Sequence, residues 1–144
     1  MKKRLILAFG TFDILHPGHL KYLKEAKHFG EVLGVIVARD ESVKKIKNRA
    51  AIINENDRVK MVGSLKDVDF AVLGNRIHKL SDRYKIIKKF KPNVIVFGYD
   101  QNIKIDELKT WLKENKLKTK IVKIKKPYMK GKYKSSIIKN FLET

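Results

Sequence analysis

Short apolar runs alternate with longer amphipathic stretches along this chain, and that rhythm carries most of the structural information. Residues 4–9, "RLILAF", are almost continuously apolar, as a strand buried on both faces of a parallel sheet must be. A helix is expected over residues 18–29, with Leu20, Leu23 and Ala26 on one face. Residues 31–39 read as a second strand. The charged stretch after them, "DESVKKIKNRAA", has little apolar periodicity and reads as a loop with room for a helical turn. Asn54 suits the N-cap of the next helix, whose Val59, Val62 and Leu65 face inward. Residues 70–74 and 93–98 read as the third and fourth strands. Between them Ile77, Leu80, Tyr84 and Ile87 mark a helix that must stop before Pro92, because a residue preceding proline disfavours the helical region. Ile105, Leu108, Trp111 and Leu112 stripe a further helix. Residues 120–125 alternate apolar and basic, as a half-exposed fifth strand would, and a last helix is expected from about Ser136. Strands alternating with helices predict parallel βαβ units: an α/β fold, one doubly wound parallel sheet of about five strands, with residues 1–144 forming a single domain.

Composition narrows the class. With 144 residues and 43% hydrophobic content the chain can bury a real core. No run approaches the ~18 apolar residues a membrane span needs. The start, "MKKRLILAFGTFD", is too short in its apolar part for a secretory signal and reads as a first strand, in a cytoplasmic protein. The absence of cysteine excludes thiol catalysis, cysteine-ligated zinc and disulfides. The net charge of +19 favours anionic partners, among them nucleotides, phosphates and nucleic acid. Its 28 lysines against 6 arginines are spread along the chain, as on a solvated surface. Only residues 123–134, "KIKKPYMKGKYK", cluster basic and aromatic side chains as a nucleic-acid patch would.

Ligands of open parallel sheets bind beyond the carboxyl ends of the strands. The stretches after the first, second, fourth and fifth strands are "GTFDILHPGH", "RDESVKKIK", "GYDQ" and "KYKSS", so the polar, glycine-bearing and hydroxyl-bearing segments all fall on that edge. Within the first, "HPGH" has three readings. A metal site would need further ligands beside His16, His19 and Asp13, and His28 and His78 sit in helix-like segments, so no metal site is assigned. A plain helix-capping turn is the structural reading. The third is a phosphate cradle: Pro17 suits the first helical turn, Gly18 admits close approach, and the helix aims unpaired N–H groups at whatever sits beside the two imidazoles.

"GTFDILHPGH" resembles the HxGH motif of the cytidylyltransferase-like nucleotidyltransferase superfamily, with its GTFD lead-in. "RDESVKKIKNR" resembles the family's flexible lysine loop, Arg58 matches an arginine on its next helix, "FGYDQ" its nucleotide pocket, and "KYKSSIIKNF" the segment that opens the last helix onto the triphosphate. The ordered matches run over residues 5–141. Among members, the chain is most similar to archaeal-type FAD synthases, with glycerol-3-phosphate cytidylyltransferases the nearest bacterial architecture. The pair Ala50-Ala51 departs from the pattern, where a basic residue and proline precede the isoleucine pair, and so lacks a contact to the acceptor phosphate that the resemblance would imply there.

The resemblance implies a Rossmann-like nucleotidyltransferase domain that moves AMP from ATP onto the phosphate of FMN, with glycerol 3-phosphate and CTP as the alternative pair. It implies His16, His19 and Lys47 as catalytic. The nucleotide would be held by Gly10, Thr11, Phe12, His16 and His19, by Arg58, by Gly98, Asp100 and Gln101, and by Ser135 and Ser136. Asp13, Lys47 and Tyr128 would face the acceptor, with Phe97, Tyr99, Tyr128 and Tyr133 as candidate walls for a flat ring. Lys47 would ride a loop that closes, and Arg58 with Ser136 would hold the departing pyrophosphate. Mg²⁺, bound mainly through nucleotide phosphates, and a homodimer are also implied, with no membrane partner. A different class, a basic nucleic-acid-binding module without catalysis, would not require His16, Gly18, His19, Lys47 and Arg58 together.

Overall fold

Each of the five apolar runs forms a strand in the computed structural model, which describes residues 2–125. The strands are β1 (Leu5–Gly10), β2 (Val32–Val37), β3 (Phe70–Leu73), β4 (Val94–Phe97) and β5 (Lys120–Lys123). All pair in parallel, in the order β3-β2-β1-β4-β5. The central strands carry the most apolar sequences because helices cover both their faces. Edge strand β5 keeps Lys120 and Lys123 exposed, which blunts the edge against unwanted pairing.

Alternate residues of a strand point to opposite faces, so the sheet separates two cores. Ile6 and Ala8 of β1 join Leu33, Val35 and Val37 on one face. They pack there against Leu23 and Ala26 of helix α1 (Pro17–Lys27) and Val62 of α3 (Glu55–Gly63). Leu7, Ile36, Ile95 and Phe97 point the other way, onto Ile86 and Ile87 of α4 (Lys85–Phe90) and Leu108 and Leu112 of α5 (Ile105–Glu114).

Three expectations are corrected. The charged stretch after β2 is a helix, α2 (Asp40–Lys47), rather than a loop. It buries only Ser42 and Val43, too little for an apolar stripe to show. What supports it is charge order, with Asp40 and Glu41 in the first turn and Lys44, Lys45 and Lys47 in the last, complementing the helix dipole. Asn48, at φ 54°, ends it in the left-handed conformation. Leu20 lies 48% exposed rather than inward, because α1 docks through Leu23 and Ala26. The helix expected before Pro92 is divided into a 3-10 turn (Leu80–Tyr84) and α4. Asn54 does cap α3, its side chain accepting from the Asp57 N–H at 3.0 Å. The expected last helix lies outside the described residues.

Strand order reverses at β1, with β2 on one side and β4 on the other. Tyr22 of α1 sits at this switch point. Its hydroxyl donates to the Val96 carbonyl at 2.5 Å and accepts from the Phe9 N–H at 3.1 Å, linking the two strands where they part. Burial raises this phenol above its ordinary pKa, so it remains a neutral bridge.

Candidate active site

The loop leaving β1 is bent hard. Phe12 takes a positive φ of 54°, uncommon without glycine, and its ring folds back under Gly10. A Cβ on Gly10 would lie 2.6 Å from that ring, so only glycine fits there. Phe12 is 2% exposed and its ring tilts against His19 at 5.3 Å, supporting that imidazole from the core. Asp13 is also buried, and its carboxylate accepts from the Ile52 and Ile53 N–H groups, both at 2.8 Å. It anchors the segment between α2 and α3 while also bordering the cleft.

His16 is the N-cap of α1. Its Nδ1 accepts from the Gly18 N–H at 3.1 Å, while the His19 Nδ1 accepts from the His16 N–H at 3.3 Å. The rings stack with centroids 3.9 Å apart. These bonds decide the tautomers. A backbone N–H can only donate, so each Nδ1 is unprotonated and each neutral ring carries its hydrogen on Nε2. Burial, then the neighbouring His16 and Lys47, lowers the His19 pKa to about 3. Burial also lowers that of His16, against the opposing pull of Asp100. Capping thus fixes two neutral Nε2–H donors beside the N–H groups of α1.

Arg58 is placed differently from expectation. It is fully buried on α3, where Nε donates to the Ile53 carbonyl at 2.9 Å and Nη1 to the Thr11 carbonyl at 2.7 Å. Nη2 reaches Asp40 Oδ1 at 2.7 Å. The guanidinium does not line the cleft, which corrects its expected grip on pyrophosphate. It joins the loop after β1 to the first residue of α2, and Glu55 completes the lock through reciprocal bonds with Asp40 at 2.9 and 3.2 Å.

A cleft of about 910 Å³ opens at the switch point. Gly10, Thr11, His16 and His19 form its centre, and Phe12 and Asp13 border it from below. On the β4 side lie Gly98, Tyr99, Asp100 and Gln101. Gln101 accepts from the Gly98 N–H at 2.7 Å and donates to the Phe9 carbonyl at 2.6 Å, which holds that turn against β1. On the β2 and β3 side the wall is α2 and the segment after β3, with Ile46, Ile77, Tyr84 and Ile87. Lys47 reaches this lobe from the end of α2, not from a loop. Phe97, stacked on Phe9 at 5.8 Å, and Tyr99 also line the cleft on the β4 side. Ser135, Ser136, Tyr128 and Tyr133 lie outside the described residues, as does most of the basic patch.

Sequence reading missed Tyr22, Ser42 and Asn75. Tyr22 looks like ordinary helix packing, and Ser42 lay in a stretch read as loop. Asn75 follows a strand end from which no motif was drawn. Among the described residues no three His, Asp or Glu side chains converge as a metal cage. Asp13 already receives two N–H groups, and Asp100 stands exposed near His16. That donor set suits a divalent ion held mainly by substrate phosphates and water. No helix among the described residues is long and apolar enough to cross a membrane.

The chain is similar to known proteins over most of its length. A FAD synthase from Aciduliprofundum boonei is 44% identical over 84% of this chain and 78% of its own length. One from Methanohalobium evestigatum is 47% identical over 84% and 77%. One from Methanohalophilus mahii is 42% identical over 96% and 94%. Among solved structures, the lipopolysaccharide core biosynthesis protein from Thermoplasma volcanium GSS1 superposes with a TM-score of 0.80 at 37% identity, covering 88% of this chain and 99% of that one. The pantoate-beta-alanine ligase from Francisella tularensis, at 16% identity and a TM-score of 0.61 over 98% and 69%, shares the fold. The cytidylyltransferase-like family model matches residues 7–141, and with the HxGH pair seated at the head of α1 over the switch point, this chain belongs to that family.

Proposed function

We propose that this protein is a FAD synthase: it transfers AMP from ATP to the phosphate of FMN and releases pyrophosphate. The transfer itself rests on one observation above all, the pair of neutral imidazoles held as Nε2–H donors at the head of α1. The acceptor rests on the 42–47% identity to FAD synthases over most of the chain.

An oxygen of the FMN phosphate attacks the α-phosphorus of ATP. The bond from that phosphorus to the oxygen bridging α and β breaks, and pyrophosphate departs with the electron pair. A phosphate monoester, with its second pKa near ~6, is dianionic at neutral pH and needs no general base. Catalysis is then alignment and stabilisation of charge. The Nε2–H groups of His16 and His19 donate to the phosphoryl oxygens as charge builds. Because His19 has so low a proton affinity, it donates a hydrogen bond without taking up a proton. The N–H groups opening α1 add their positive dipole end. Gly98, Asp100 and Gln101 border the base and ribose, which leaves the lobe beside α2 to the flavin. Lys47, at the rim of that lobe, meets the negative charge between the two substrates. Ser135 and Ser136 take the triphosphate and Tyr128 the acceptor, as the resemblance implies. A divalent ion such as Mg²⁺, held mainly by the triphosphate and water, would supply neutralising charge there.

The test is pyrophosphate release from the purified protein with Mg²⁺, ATP or CTP, and FMN or glycerol 3-phosphate. Release is expected with ATP and FMN. Release from CTP with glycerol 3-phosphate, and none with FMN, would replace this reading by a cytidylyltransferase.

A further inference from the structure

The wall between α2 and the segment after β3 is cross-linked three times. Arg39 Nε donates to the Gly74 carbonyl at 2.8 Å, and Lys45 Nζ donates to the Ile77 carbonyl at 3.0 Å. Between them the Arg76 guanidinium pairs with Glu41 at 4.0 Å. Amid these links, Ser42 Oγ and Asn75 Oδ1 are buried with no hydrogen-bond partner. Ser42 is 2% exposed, and both residues line the cleft. An orphaned buried polar atom carries its desolvation cost uncompensated, and natural structures seldom keep one without a use. Here two lie on one wall, one on α2 and one in the segment after β3, in a cleft also lined by Ile46, Ile77, Tyr84 and Ile87.

We infer that Ser42 and Asn75 read the hydrogen-bonding edge of the flavin ring. This rests on the FMN reading above. The pyrimidinedione end of isoalloxazine presents an imide N–H flanked by two carbonyl oxygens. Asn75 Oδ1 can only accept, so it takes the N3–H. The Ser42 hydroxyl donates to a neighbouring carbonyl. The apolar side chains cover the flat faces of the ring, and the two polar atoms select its edge. Specificity of this kind is strong because a ligand lacking the matching group leaves buried atoms unpaired. Glycerol 3-phosphate has neither a flat apolar face nor an imide.

The experiment measures binding of FMN and of 3-methyl-FMN, in which the N3–H is blocked, by calorimetry on the wild type, Asn75→Leu and Ser42→Ala. Each protein is also melted without ligand. The wild type is expected to bind 3-methyl-FMN at least about tenfold more weakly than FMN. Asn75→Leu brings the affinity for FMN down toward that for 3-methyl-FMN, while Ser42→Ala weakens both flavins by a similar factor. Without ligand, Ser42→Ala melts no lower than the wild type, since it removes an unpaired buried atom rather than a bond. Equal binding of the two flavins by the wild type overturns the inference, as does unchanged FMN binding by both variants. If the wild type binds neither flavin yet turns over glycerol 3-phosphate with CTP, the functional reading falls and takes this inference with it. Normal FMN turnover without edge discrimination sinks this inference alone.

Discussion

Arg58 donates to the Thr11 carbonyl at 2.7 Å, and through that bond a fully buried cation on α3 holds the loop that leads from β1 to the histidine pair. The same guanidinium grips Asp40, the first residue of the helix whose last residue is Lys47. One side chain therefore sets the spacing between the donors at the head of α1 and the element that bears Lys47. Arg58 is a positioning residue.

Arg58→Met should lower stability by about 3 kcal/mol in chemical denaturation. That is the low end for breaking a buried ion pair, because Asp40 stays 44% exposed and can recover water. Turnover should fall along with stability. A variant that loses activity at unchanged stability would return Arg58 to the role of a substrate contact.

His19→Ala should reduce kcat by a factor on the order of 10²–10³ while its circular dichroism stays that of the wild type. His19→Gln keeps an N–H near the Nε2 position and should recover part of the loss. Turnover of the alanine variant near the wild-type level would remove His19 from the chemistry.

The pH dependence has a definite sign. The folded-state pKa of His19, about 3, lies below its ordinary 6.5, so the unfolded chain binds the proton that the folded protein refuses. The contribution of His19 to stability is therefore full above 6.5 and is lost progressively as pH falls from 6.5 toward 3. In a nitrogen NMR titration its ring should stay neutral, with the hydrogen on Nε2, from pH 8 to 5. Any acid limb of kcat/KM should then follow the FMN phosphate near ~6. A midpoint for His19 close to 6.5 would contradict both the tautomer and the role drawn from it.

Lys47 is exposed at the end of α2, so Lys47→Ala should change stability by no more than about 0.5 kcal/mol. Its effect should fall on kcat more than on the KM for nucleotide, because the contact matures as charge shifts in the transition state. An effect confined to KM would make it a binding lysine alone.

Strand runs such as Leu5–Gly10 and Val94–Phe97 were legible in the sequence because burial on both faces demands unbroken apolar residues, a local property of the chain. The HPGH turn was legible for a similar reason: Pro17, Gly18 and the flanking histidines act on backbone within one helical turn. The helix at Asp40–Lys47 was not, since it buries only Ser42 and Val43 and so shows no apolar stripe, while Arg58 and Glu55, which fix its first residue, are distant in sequence. Nor could any pattern announce that Arg58 would spend its charge inside the protein, or that Ser42 and Asn75 would be left unpaired against the cleft. Residue type says which bonds a side chain can make. Only the packing of β1, α2 and α3 against one another decides which of them it makes, and so which groups remain for a ligand.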